Sequence, residues 1–196
     1  GHSMGSFYAR QYLCEFGKEL NGAIIMGTGC QPLALVQLGR FLTAFISVFK
    51  GWKYRCNLIN NIAFGSYNKH FQPTRTTKDW ISKDTAIVDK YVADERCNFI
   101  FTLNAFYNMF TGISRLYDKN LLSRMPKKLP VFFVAGEDDP VGDYGKGVLK
   151  TVNMFRKAGM ENVKVKLYPT DRHEILNETD RDQVYDDLYS WLSILF

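Results

Sequence analysis

The chain has 196 residues, enough for one sizeable core or a core with an appended subdomain. Hydrophobic residues at 46% and charged residues at 23% are ordinary globular values, and 15 Phe, 11 Tyr and 3 Trp suggest large buried surfaces or an apolar pocket. The formal charge of +5 comes from scattered bases, with no cluster dense enough to argue for nucleic acid; an anionic substrate or membrane surface is permitted and not demanded.

The first five residues, Gly1-His2-Ser3-Met4-Gly5, fit G-x-S-x-G, in which a serine sits on a sharp strand-to-helix turn with its hydroxyl exposed. The two glycines would remove side chains where strand and helix backbones crowd together. The same five residue types also occur in tag remnants, so the pentapeptide alone does not decide. Residues 6–19 read as a helix closed by Asn21-Gly22, and residues 23–26 as a short apolar strand buried in a parallel sheet. Elbow, helix and strand together read as the second half of a βαβ unit.

That rhythm breaks over residues 31–125. Residues 33–49 form an apolar helix (Leu35, Leu38, Leu42, Phe45, Phe49) interrupted by Gln37 and Arg40 and expected to be too short for a membrane span. Further helices are expected over 85–93 and 102–117, with a short one opening at 77–81 and no strand pattern anywhere in the segment. It reads as an all-helical insertion.

The α/β rhythm returns after a linker at 126–130 that carries Lys127-Lys128. Residues 131–135 read as a buried strand ending in Gly136, residues 145–157 as a helix, and residues 163–167, alternating apolar and charged, as a strand near a sheet edge. The last helix, over 179–195, carries Asp180 and Asp182 at its positive end and a stripe of Val184, Leu188, Trp191, Leu192 and Leu195. Cys14, Cys30, Cys56 and Cys97 lack C-x-x-C spacing and partnering histidines, so no zinc site and no other metal or organic cofactor is expected. Cys14 and Cys97 lie among apolar residues and read as buried free thiols. Reduced cysteines and the lack of a leader peptide suit a cytoplasmic protein. Gly145-Lys146-Gly147 lacks the earlier glycine and the following Ser or Thr of a phosphate loop.

A serine becomes a nucleophile when a base takes its proton, and that base needs a carboxylate to hold its tautomer. In open parallel sheets reactive groups collect beyond the carboxyl ends of strands. The strand at 131–135 leads into Gly136-Glu137-Asp138-Asp139, and the one at 163–167 into a loop with His173. Each has a plainer alternative, a solvated acidic loop and a surface histidine. Yet Ser3, Asp139 and His173 each follow a separate strand, counting one expected ahead of Gly1, in the chain order Ser, Asp, His expected of an α/β-hydrolase.

On these residues the chain resembles the α/β-hydrolase superfamily, in its monoacylglycerol lipase/lysophospholipase-like branch, the serine-aminopeptidase type. The resemblance is carried by Gly-His-Ser-Met-Gly-Ser at 1–6, Gly-Glu-Asp-Asp-Pro-Val-Gly at 136–142 and Arg-His-Glu-Ile-Leu-Asn-Glu at 172–178. Asn68-Lys69-His70-Phe71 and the stretch 74–80 add to it. It implies a mostly parallel sheet with flanking helices, formed by residues 1–30 and 126–196, under a helical cap at 31–125. It implies catalysis by Ser3, Asp139 and His173, with the Met4 N–H as one oxyanion donor. The expected reaction is hydrolysis of carboxylic esters, of monoacylglycerol or lysophospholipid type, with peripheral membrane contact permitted. An amidase or peptidase with the same three residues, or a non-catalytic relative, remains open. The family's domain begins well before its elbow, with further strands and a second oxyanion donor, so the chain is expected to be a C-terminal portion of a longer hydrolase.

Overall fold

The computed structural model describes residues 1–195. In chain order it holds α1 (Met4–Phe16), β1 (Ala23–Met26), α2 (Leu33–Lys50), α3 (Asn57–Phe64), α4 (Thr85–Ala93), α5 (Leu103–Arg115), α6 (Lys119–Leu122), β2 (Val131–Gly136), α7 (Lys146–Lys157), β3 (Val163–Tyr168) and α8 (Arg181–Leu192). The strands form a parallel sheet in the order β1-β2-β3, with Ala23 opposite Val131 and Val131 opposite Val163. Parallel neighbours need crossovers, and α7 supplies one between β2 and β3. Between β1 and β2 the described residues hold helices and single turns, with one isolated antiparallel bridge from Arg55 to Thr102.

β2 is buried along its whole length, as a central strand covered on both faces must be. On one face Phe133, Val131 and Ala135 pack with Leu13, Val148, Val152 and Phe155 from α1 and α7. On the other, Phe132 and Val134 pack with Val184 and Trp191 of α8. β1 is less enclosed than its apolar sequence suggests, since Ala23 and Ile24 stay half-buried. The α8 stripe also narrows: Val184 and Trp191 are buried, Leu188 and Leu195 pack at the margin, and Leu192 faces solvent.

The helical segment has its own cluster, built on α5 through Leu103, Phe106, Met109, Phe110 and Ile113, with Val36 of α2 and Ile59 of α3. Phe7 of α1 joins this cluster, so α1 touches both packing units. Leu121, Leu122 and Met125 pack with the sheet cluster instead. Cys56 is buried here, whereas Cys97, expected inside, is half-exposed.

α2 packs in reverse. The face turned to α5 carries Val36, Gly39, Thr43 and Ser47, and a Cβ on Gly39 would lie 3.0 Å from the Phe110 ring. Small residues let the two backbones approach. The outward face carries Leu35, Leu38, Phe41, Phe45, Val48 and Phe49, all exposed, with Val48 at 78%. Its rings form a ladder, Phe41 to Phe45 at 6.3 Å and Phe45 to Phe49 at 5.3 Å. At 18 residues with mean hydropathy 1.5 the helix is long and apolar enough to span a membrane, contrary to the expectation from its sequence. Its close packing on α5 makes it a surface element of this fold.

Candidate active site

The elbow is built by the sheet and α1 together. Residues 1–3 run beside β1: Met26 N–H donates to the Gly1 carbonyl at 2.9 Å, and Ser3 N–H to the Met26 carbonyl at 3.1 Å. α1 begins at the next residue, so the chain must turn from extended to helical within Ser3. Ser3 takes φ 52° and ψ −124°, a region that costs an L residue strain and that surrounding structure must enforce. Ser6 enforces it by donating its N–H and its hydroxyl to the Ser3 carbonyl, at 2.9 and 2.5 Å. Only one of the two glycines is sterically required. A Cβ on Gly1 would sit 2.5 Å from the Gly5 carbonyl oxygen, whereas one on Gly5 would meet nothing within 4 Å. Met4 opens α1, where the first N–H groups have no intrahelical partner and the helix dipole is positive.

Beyond β2, Gly136 lets the acid loop and the histidine loop touch. A Cβ there would fall 2.0 Å from the Asp171 carbonyl oxygen. The loops are also tied directly, with Asp138 N–H donating to that carbonyl at 2.9 Å. Of the three consecutive acids, Glu137 is exposed and Asp138 half-buried, while Asp139 is fully buried. Asp139 Oδ1 accepts the Val141 N–H at 2.9 Å, and Oδ2 accepts from His173 Nδ1 at 2.9 Å. A carboxylate oxygen only accepts, so Nδ1 carries the proton and Nε2 keeps its lone pair. His173 is 2% exposed, and its Nε2 has no hydrogen-bond partner among the described residues, Ser3 Oγ included. Burial works against the imidazolium, but the charge of Asp139 and its hydrogen bond outweigh burial and raise His173 above its ordinary value.

The elbow and the histidine meet across Gly27, at the end of β1. Gly27 has φ +55°, and a Cβ there would lie 3.1 Å from His173 Cε1 and 3.2 Å from His2 Nε2. The absence of a side chain leaves room for both imidazoles, whose centroids are 4.7 Å apart. His2 Nε2 donates to the His173 carbonyl oxygen at 3.2 Å. Burial, and then the neighbouring His173, lower the pKa of His2, which keeps it neutral.

Two aromatic residues from the helical segment complete the surroundings. The Trp80 ring lies 5.1 Å from His173, and Tyr67 packs against Trp80 at 4.9 Å. Burial, with the Asp139 charge adding to it, raises the Tyr67 hydroxyl above its usual value and keeps it neutral. Sequence reasoning missed Tyr67 and Glu178, whose buried carboxylate holds the histidine loop. Glu178 did lie inside the recognised stretch at 172–178, and that was its one signal. Tyr67 had none.

Comparison with known proteins identifies the family and the fold. Residues 1–180 match the family model described as serine aminopeptidase, S33. A highly thermostable carboxyl esterase from Bacillus coagulans, solved in complex with glycerol, is 30% identical over the whole chain with a TM-score of 0.88. The chain spans 63% of that esterase's length. A lipase in its open form is 24% identical (TM-score 0.79), and a soluble variant of monoglyceride lipase from Saccharomyces cerevisiae, bound to a substrate analogue, 22% (TM-score 0.74). The whole chain aligns with each, covering 64% of either. A search of curated protein sequences finds no match. With residues 1–180 of the chain matching the family model and a 30% identical esterase sharing its fold, this chain belongs to the serine aminopeptidase S33 family of α/β-hydrolases.

Proposed function

We propose that the protein containing this chain hydrolyses carboxylic esters of lipid-like substrates through an acyl-serine intermediate. The observation that carries this reading is the buried His173, protonated on Nδ1 by its bond to Asp139 and free on Nε2, behind a serine held on a strained elbow. Ser3 Oγ attacks the ester carbonyl while His173 Nε2 takes its proton. The Met4 N–H stabilises the oxyanion, and Asp139 stabilises the imidazolium. His173 then returns the proton to the departing alcohol. In the second half it takes a proton from the water that attacks the acyl carbon and passes it to Ser3 Oγ as the acyl–Oγ bond breaks, which releases the acid and restores Ser3.

The 30% identical carboxyl esterase supports an ester as substrate, and α2 supports a lipid-like one. From Leu20 to Lys78 the sequence has no acidic residue, while Lys50, Lys53 and Arg55 lie exposed at the end of the apolar face of α2. A face of exposed Leu and Phe bordered by bases fits an anionic lipid surface, into which the rings insert while the bases meet the headgroups. The helical segment 31–125 then acts as the cap that admits substrate from that surface.

The deciding experiment compares kcat/KM of the complete protein on a monoacylglycerol, a lysophospholipid and an aminoacyl arylamide. Preference for either lipid ester, abolished by Ser3→Ala, is the expected result. Preference for the arylamide would instead favour a peptidase, the activity in the family's description.

A further inference from the structure

The loop that carries His173 is held mainly by the helical segment rather than by the sheet. Glu178 is fully buried. Its Oε1 accepts the Arg172 N–H at 2.9 Å, its Oε2 accepts the Ser82 hydroxyl at 2.9 Å, and both oxygens take the Lys83 N–H at 3.1 Å. The same two strips are joined by Glu174 N–H to the Ile81 carbonyl at 2.8 Å, and by Arg172 Nη1 to the Asp79 carbonyl at 2.5 Å and the Ser82 carbonyl at 3.2 Å. Lys83 Nζ reaches Asp171 Oδ1 at 2.5 Å and Asp180 Oδ1 at 3.0 Å. Residues 171, 172, 174 and 178 therefore bracket His173, and each is fastened to residues 79–83. A buried carboxylate is costly unless its lone pairs are satisfied, and here the donors come from both strips at once.

We propose that Glu178 is a positioning residue for His173: its carboxylate sets the imidazole against Asp139 only while residues 79–83 are docked on the histidine loop. Docking of this part of the helical segment and readiness of the base are then one event. The inference rests on the reading of His173 as the general base. The charged and titratable groups facing that imidazole are Asp139 from the acid loop, His2 from the elbow and Glu174 from its own loop. Those around Glu178 are Lys83, Arg172, Arg181, which donates to the Glu178 carbonyl, and, through Lys83, Asp171 and Asp180.

The test is the pH profile of kcat/KM, with kcat and KM resolved separately, for the complete protein and for its Glu178→Gln and Ser82→Ala variants. Glu178→Gln turns one acceptor into a donor that faces Lys83, Ser82 or Arg172. It is expected to lower kcat by about 10–100-fold with little change in KM, as loss of an outer-shell orienting group does. The acidic limb of the profile should also move down towards the ordinary histidine value of about 6.5, because a looser loop weakens the Asp139 contact. Ser82→Ala keeps the carboxylate and both backbone donors, and should shift kcat and the limb a few-fold in the same direction. It carries the test if the glutamine variant does not fold. A folded variant that melts earlier yet keeps the wild-type kcat and acidic limb overturns the proposal, because Glu178 would then serve stability alone. If the unsubstituted protein shows no acidic limb, the reading of His173 as base fails first, and the proposal fails with it.

Discussion

The sheet and helix α2 bury their side chains by opposite rules. Around β2, Phe132 and Phe133 are inaccessible to water, and α7 and α8 turn their Val, Phe and Trp inward. On α2 Gly39, Thr43 and Ser47 go inward with Val36, Leu42 and Ile46 sit half-buried beside them, and Leu35, Leu38, Phe41, Phe45 and Phe49 remain outside. The hydrophobic effect explains the first arrangement as folding. The second leaves a contiguous apolar face exposed, the kind of surface that marks contact with a protein, a membrane or a ligand. On the proposed reading, the end of the sheet supplies chemistry that is indifferent to where the substrate comes from, and α2 supplies the access.

Substitutions at the sheet end should act on every substrate alike. Asp139→Asn keeps the shape of the acid loop but no longer holds the imidazole in its productive tautomer, and kcat is expected to fall about 10⁴-fold on soluble and lipid esters. A loss confined to lipid esters would erase the division between the two regions. Next in size is Gly136→Ala. Its Cβ would overlap the Asp171 carbonyl, so the acid and histidine loops must separate. Thermal unfolding should show a loss of about 1–3 kcal/mol, together with reduced activity on all esters. An unchanged melting temperature would mean that the two loops are not packed as described.

Phe45→Asp on α2 should do the reverse. It removes one ring from the exposed ladder and adds a negative charge, so binding to phosphatidylglycerol vesicles is expected to weaken about tenfold or more, with turnover of a water-soluble ester unchanged. Equal binding of variant and wild type, or no preference for phosphatidylglycerol over phosphatidylcholine, would contradict the lipid-surface reading. A concentration-dependent dimer lost in the variant would assign the face to a second copy.

The parts that were legible in the sequence are those set by local pattern. β1, β2, α4 and α7 lie within a residue of where their apolar runs, caps and glycines place them, and the family resemblance singles out Asp139 from its acidic neighbours. Long-range packing was not legible. The apolar positions of α2 announce a helix, but only the contact of Gly39 with Phe110 reveals that its small face is the buried one. Short elements such as α3 and α6 have too few turns for periodicity to register. Glu178 lies in the stretch 172–178 that carries the resemblance, with nothing to distinguish it there from its neighbours. Its role comes from Ser82 and Lys83, roughly a hundred residues away in sequence.

Ser3 as a nucleophile activated by His173 is the central proposal. A fluorophosphonate probe applied to the complete protein, with the labelled peptide identified by mass spectrometry across pH, measures both. The label should fall on Ser3, be lost in Ser3→Ala, and form faster as pH rises through a midpoint above the ordinary histidine value of about 6.5. That direction follows because Asp139 stabilises the imidazolium, so the free base that accepts the serine proton appears only above the raised value. No label, a label that survives Ser3→Ala, or a rate independent of pH across that range would contradict it.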